Sequence, residues 1–501
     1  MKLLNKLFPL LIVIFLSLFA VLPLFNSGFF PMHDDTQVAR IFEMAKSLSM
    51  GSFPVRWVPD LGYGFGYPIF NYYAPLAYYT GAFFVLLGIN ALMATKITMG
   101  LAMILPGIFM YFLVKELFGK PAAVVSALFY TFAPYHALDL YVRGDLSEIF
   151  GYIFIPLIFY GLIKSYKKRN IYYFSITALG FAAVIISHNL TALMVAPYLF
   201  VLVLILSFVF TKKERFKTAG YLFGSLFLGI ALAAFYWIPA IAELKNTNVM
   251  SILGGGSNYA DNFVCLNQLW SSPWGFGGSA KGCIDGLSFM IGKLHIIVSF
   301  AAGFIGVMFV SFKKYIKFQR ITIAVLLLFL GFLFSCLLTL GASKSIWDIF
   351  SPMAFFQFPW RFLLMATFFA SLLAGAFVYL TSFIPFKKIF PHFVIELAAI
   401  LIIGVLYLNV KYFVPQKIVN VDLSYYTSEY ALKWRISKIS DEYLPKDTKK
   451  PQNAAQALLD KQKFSFNSTP IETASNIISV AGILVLSIGI IKFRKKYDKA
   501  T

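Results

Sequence analysis

Apolar runs of bilayer-crossing length recur along the whole chain, separated by loops rich in Lys and Arg. A transmembrane helix needs about 20 apolar residues. On that measure the chain offers twelve spans, near 7–25, 93–114, 121–137, 149–163, 171–187, 190–210, 219–239, 293–311, 321–340, 361–383, 389–409 and 473–491. Backbone polar groups in lipid must be satisfied within the segment, so such runs are read as helices. The fold class is therefore an all-α polytopic membrane protein. With 59% hydrophobic and 13% charged residues, the 501-residue chain excludes an ordinary soluble domain.

Charge sets the orientation. The net charge of +21 would suggest nucleic acid in a soluble protein, but its distribution points elsewhere. The loops at Lys2–Lys6, Lys115–Lys120, Lys164–Arg169, Lys212–Lys217, Lys313–Arg320, Lys387–Lys388 and Lys492–Lys499 hold 23 cations against three anions, leaving 20 cations and 19 anions for the rest. Such loops face the cytoplasm. Both termini are then cytoplasmic, the membrane is the plasma membrane, and no nucleic-acid partner is expected. The first run lacks a small-x-small cleavage site near 22–26 and reads as an uncleaved anchor, with a signal peptide as the alternative. The domain plan is a transmembrane domain over 1–410 with outer loops at 26–92 and 240–292, a small polar outer segment over 411–472, and a last helix with a basic tail over 473–501.

Within the first outer loop, residues 34–49 read as a short amphipathic helix. Residues 72–87 are apolar, but a single crossing there would break the parity of the flanking cationic loops, so they are placed as a helix in the outer interface. Gly254, Gly255 and Gly256 mark a turn in the second outer loop. Cys265 and Cys283 share that loop; a disulfide suits an oxidising compartment, and two free thiols suit the spacing equally well.

The outer ends of the spans collect ionisable residues. His33, Asp34 and Asp35 emerge from the first span, with Arg40 close behind. Asp145 and Glu148, three apart and so on one helical face, follow Arg143 in a later loop. His188 and Arg361 sit at two further outer ends. Charge at membrane depth is costly and usually functional. Each group also has a plainer role. Asp34 or Asp35 could cap a helix, Asp145 and Glu148 could form a solvated turn, and Arg361 could snorkel beside Trp360. His188 could be a satisfied polar contact. The run from Gly62 to Tyr67 lacks the Lys-Ser/Thr of a phosphate loop, and five scattered His with no Cys-x-x-Cys make no zinc site.

This arrangement resembles the GT-C superfamily of membrane glycosyltransferases. An acidic pair follows the first span, interfacial helices fill the first outer loop, and a second acidic motif comes two spans later. The runs Trp57–Asp60, Gly62–Pro68, Tyr72–Pro75, Arg143–Glu148, Ser187–Thr191 and Phe358–Arg361 are more closely similar to a prokaryotic membrane family labelled "6-pyruvoyl-tetrahydropterin synthase-related". Pterin synthases are soluble and use a three-His zinc site, so no pterin is expected here. The resemblance implies transfer of a sugar from a polyprenyl-phosphate-linked donor to an acceptor at the outer face, with membrane lipid as the other partner. Asp34 and Asp35 would be catalytic. Arg40, Arg143, Arg361, Asp145, Glu148 and His188 would hold the donor and its phosphate. His33, Trp57, Tyr63 and Tyr67 would meet sugar or acceptor. Asp35, Asp145 and Glu148 would share a divalent cation, Mg or Mn, if one is used. The rival classes are a lipid-linked sugar flippase or exporter and a non-catalytic protein of envelope assembly. A flippase should carry charge inside its spans, where this chain has few, Lys96 and Glu396 among them.

Overall fold

A computed structural model describes residues 2–249, 258–311, 319–383 and 392–498. The turn at 254–256 and the cationic loops at 313–317 and 387–388 lie outside these. Among the described residues the regular structure is helical, with isolated β-bridges and no strand. Eight helices are long and apolar enough to cross a membrane, and a ninth candidate is the pair Arg215–Leu232 and Ala234–Ala242, bent by 68°. These nine fall on nine of the twelve expected spans. The other three expected spans are shorter helices, Leu7–Ala20, Lys120–Thr131 and Ile171–Ser187.

The chain divides into two compact units, each assembled from three stretches. The first comprises Met1–Asn26, Leu101–Arg143 and Leu253–Lys417. Its centre is the helix Leu363–Thr381, buried along nearly its whole length. Small residues permit that packing: a Cβ on Gly375 would stand 2.3 Å from Ser126 Oγ. Cys265 and Cys283 form a disulfide in this unit, with Cα atoms 5.5 Å apart.

The second unit comprises Ser27–Gly100, Gly144–Ile252 and Ile418–Thr501. The helix Leu146–Lys168 is its buried axis, packed on Ile171–Ser187. The last helix, Pro470–Asp498, leaves most of its apolar window exposed. That pattern suits a helix facing lipid tails, where exposed Ile and Val carry no penalty. The helix expected over 72–87 runs over Leu76–Leu86; a separate turn, Ile69–Tyr72, precedes it and ends at Tyr73, whose backbone is extended. The helix packs on Gln37–Ser49, where Gly81 lets Ile41 approach.

Candidate functional site

The first acidic pair stands outside its helix. The helix runs over Gln37–Ser49, its N-cap residue is Thr36, and no side chain caps it there. Asp34 and Asp35 occupy the preceding turn, closed by Thr36 N–H donating to Asp34 O at 2.7 Å.

Gln37 ties this turn to the second acidic motif. Its buried Nε2 donates to Asp34 O at 3.2 Å and to Gly144 O at 2.8 Å, and its Oε1 accepts from Tyr78 Oη at 2.7 Å. Gly144 has φ +66°, and a Cβ there would lie 2.1 Å from Met32 Sδ, so the two turns touch backbone to side chain. One residue on, Asp145 caps the helix Leu146–Lys168 by accepting from Glu148 N–H at 3.1 Å. His188 caps Asn189–Leu204 in the same way, with Nδ1 accepting from Thr191 N–H at 3.3 Å. Two helix N-termini thus deliver Asp145, Glu148 and His188 to one place. All three are buried, and one ligand atom from each lies within 4.8 Å of the others. Two carboxylates and an imidazole are donors that suit a divalent cation such as Mn²⁺. Asp35 is not in the group.

Tyr73 spans the two motifs. Its hydroxyl donates to Asp145 Oδ1 at 3.5 Å, and the Arg40 guanidinium lies 4.4 Å from its ring centroid. Burial first, then the charge of Asp145, keeps this phenol protonated, and Asp34 adds to the same push. Arg40 is buried. It donates to Ser440 Oγ at 2.9 Å and to Tyr78 Oη at 3.3 Å.

Asp35 turns the other way, toward the segment before the last helix. That segment is anchored by a two-bond bridge between Phe29 and Val419, at 2.8 and 2.7 Å. Tyr426 Oη donates to Asp35 Oδ1 at 2.9 Å, and the Arg435 guanidinium stands 3.9 Å from Asp35 Oδ2. Burial pushes the Asp35 carboxyl up to about 6, against the Tyr426 hydrogen bond and the Arg435 charge, which both lower it.

The remaining expected residues are placed as follows. His33 is exposed. Trp57 stacks on Phe466, centroids 5.7 Å apart. Tyr63 donates to Asp441 Oδ2 at 2.7 Å, and Tyr67 Oη accepts from Tyr443 N–H at 3.2 Å. These three rings are engaged by residues 441–466 of the same unit. Arg143 and Arg361 belong to the first unit, where Arg143 pairs with Asp139 and lies over Trp360, and Arg361 lies over Phe358. Tyr73 lies in the Tyr72–Pro75 run that carries the resemblance, with no role given to it there; Gln37, Tyr426 and Arg435 have no role in the sequence reading.

Comparison with solved structures gives the class first. The chain has the fold of the GT-C oligosaccharyltransferases. It superposes on the Archaeoglobus fulgidus oligosaccharyltransferase in its apo form with a TM-score of 0.53 at 11% identity, over 96% of this chain and 65% of that one. The same enzyme tethered to an acceptor peptide containing the NVT sequon gives 0.55 at 12% identity, over 96% and 64%. Residues 70–254 match the family described as "6-pyruvoyl-tetrahydropterin synthase related domain; membrane protein". An uncharacterised protein of Lactococcus lactis is 27% identical over 249 residues, 47% of this chain and 40% of that protein. The chain thus spans about two fifths of that curated relative and just under two thirds of the oligosaccharyltransferase.

Proposed function

We propose that this membrane protein is a glycosyltransferase that moves a sugar from a polyprenyl-phosphate-linked donor to an acceptor hydroxyl at the outer face. The observation that carries this reading is the meeting of the Asp34 turn with Asp145, Glu148 and His188 through Gln37 and Tyr73, within one unit of a GT-C fold. In the reaction the acceptor oxygen bonds to the anomeric carbon and the bond from that carbon to the phosphate oxygen breaks. Asp34 takes or orients the acceptor proton. Asp145, Glu148 and His188 would hold a divalent cation, which would supply positive charge toward a leaving phosphate. Arg40, stacked on Tyr73 and bonded to Ser440, fixes the wall between the acids.

The test is sugar transfer by purified protein in nanodiscs, supplied with a panel of polyprenyl-phosphate sugars. Asp34→Asn should insert and fold as the parent does and lose at least about a hundredfold in rate, the usual loss with a general base. Full activity in that variant removes Asp34 from the chemistry. Movement of donor across the bilayer with no transfer would favour the flippase class instead.

A further inference from the structure

We propose that Arg435, delivered by the outer segment before the last helix, grips the phosphate of the lipid-linked donor, and that Asp35 is the internal anion the phosphate displaces. The proposal rests on the transferase reading for the identity of its ligand.

Loss of a phosphate leaving group calls for a cation, and Arg suits it by its two-pronged geometry. The second unit offers few. Arg40 is buried, and donates to Ser440 and Tyr78. Arg56 is buried too, donating to Asn71 Oδ1 at 3.0 Å and Asn476 Oδ1 at 2.9 Å, beside Glu472. Arg169 ends the 23-residue helix that begins beside Asp145, which puts it about 35 Å away along the axis. Arg215 donates to Thr211 O in the loop that also carries Glu214, the ion-pair partner of Arg169. Among guanidinium groups with described side chains in this unit, Arg435 is the one standing at the acidic turn and reachable from solvent, with 22% of its side chain exposed.

Its setting is that of a held but unsaturated cation. The guanidinium lies 3.5 Å from the Tyr425 ring centroid, and one of its nitrogens donates to Tyr425 O. The plane is therefore fixed. Its approach to Asp35, at 3.9 Å, is about an ångström longer than a direct charge-assisted bond. Asp35 is itself retained by Tyr426. A phosphate offering two oxygens and more charge can take the guanidinium from a carboxylate held at that distance, leaving Asp35 on Tyr426.

The experiment measures affinity of the full-length protein in nanodiscs for polyprenyl phosphate, with inorganic phosphate as competitor. Arg435→Ala should weaken binding about tenfold or more, and Arg435→Lys by less. Asp35→Asn should tighten it several-fold, because the competing anion is gone. Tyr426→Phe, which loosens the segment's hold on Asp35 and keeps the guanidinium, should bind within about twofold of the parent. Unchanged affinity in Arg435→Ala overturns the proposal. So does weakening by Asp35→Asn or Tyr426→Phe to the level of Arg435→Ala, since that is the pattern of a purely structural clamp. Competition by inorganic phosphate at the lipid's own affinity would make this a free-phosphate site and overturn the donor assignment. Because binding is the readout, a parent protein that binds the lipid yet transfers no sugar would sink the transferase reading alone.

Discussion

Single side chains here are set against their ordinary chemistry by burial. Glu43, on the helix that follows the acidic pair, is fully buried; its Oε2 accepts from Asp60 N–H at 3.1 Å. Burial, then the charge of Asp60, raises its carboxyl to about 8 from 4.5. Lys46 pairs with Asp60 beside it and pulls the other way. The consequence for stability has a definite sign. Between pH 4.5 and 8 the unfolded chain has released this proton and the folded chain keeps it. Stability from this group is therefore greatest below that window and falls as pH rises through it. Gln at position 43 mimics the protonated form and can still accept from Asp60. Glu43→Gln should raise the melting temperature by a few degrees at pH 8 and leave it near the parent's at pH 5. Thermal unfolding in detergent at the two pH values checks this; equal effects at both would mean that Glu43 ionises freely in the fold.

At the scale of elements, the acids were visible in sequence and their scaffold was not. A His-Asp-Asp cluster just past a membrane span is legible because charge beside lipid demands a reason. The apolar runs were legible because a bilayer demands their length and composition, and among the described residues eight of them are helices of crossing length and a ninth is a bent pair. What pattern could not supply was pairing across long separations. Asp35 meets Tyr426 from 391 residues away, and Gln37 meets Gly144 across 107. Periodicity reports a residue's local face and says nothing of distant partners. Tyr63 and Tyr67 were expected at sugar or acceptor because aromatic residues in a Gly-rich loop suit either a ligand or a strap; their hydroxyls bond Asp441 and the Tyr443 amide. The joint between the two acidic turns is testable at Gly144. A methyl there meets Met32, and φ +66° disfavours any L side chain. Gly144→Ala should cost about 1–3 kcal/mol of stability. It should also lower transfer more than Met32→Ala does, since it alone strains the backbone that presents Asp145. Parent-like unfolding and activity in Gly144→Ala would show that the turns are not coupled through this contact.

At the scale of the molecule, the reading depends on which side of the membrane the second unit's acids occupy. A lipid-linked donor presents its sugar in the aqueous layer on one face, so catalytic groups on the opposite face never meet it. The proposed face follows from the charge pattern, which leads one to expect cationic loops in the cytoplasm and the near-neutral loops carrying Asp34 and Asp145 on the outside. The structure offers reporters at each end. Ser49 closes the helix that follows the acidic turn and is exposed. Lys213 lies in the loop that joins Asn189–Val209 to Arg215–Leu232, and is exposed. The native cysteines leave little background, since Cys265 and Cys283 are bonded and Cys336 lies within the helix Gln319–Thr339. Ser49→Cys should therefore react with a membrane-impermeant maleimide in intact cells. Lys213→Cys should react after the membrane is opened and not before. The reverse pattern would put Asp34, Asp145, Glu148 and His188 toward the cytoplasm and overturn transfer at the outer face.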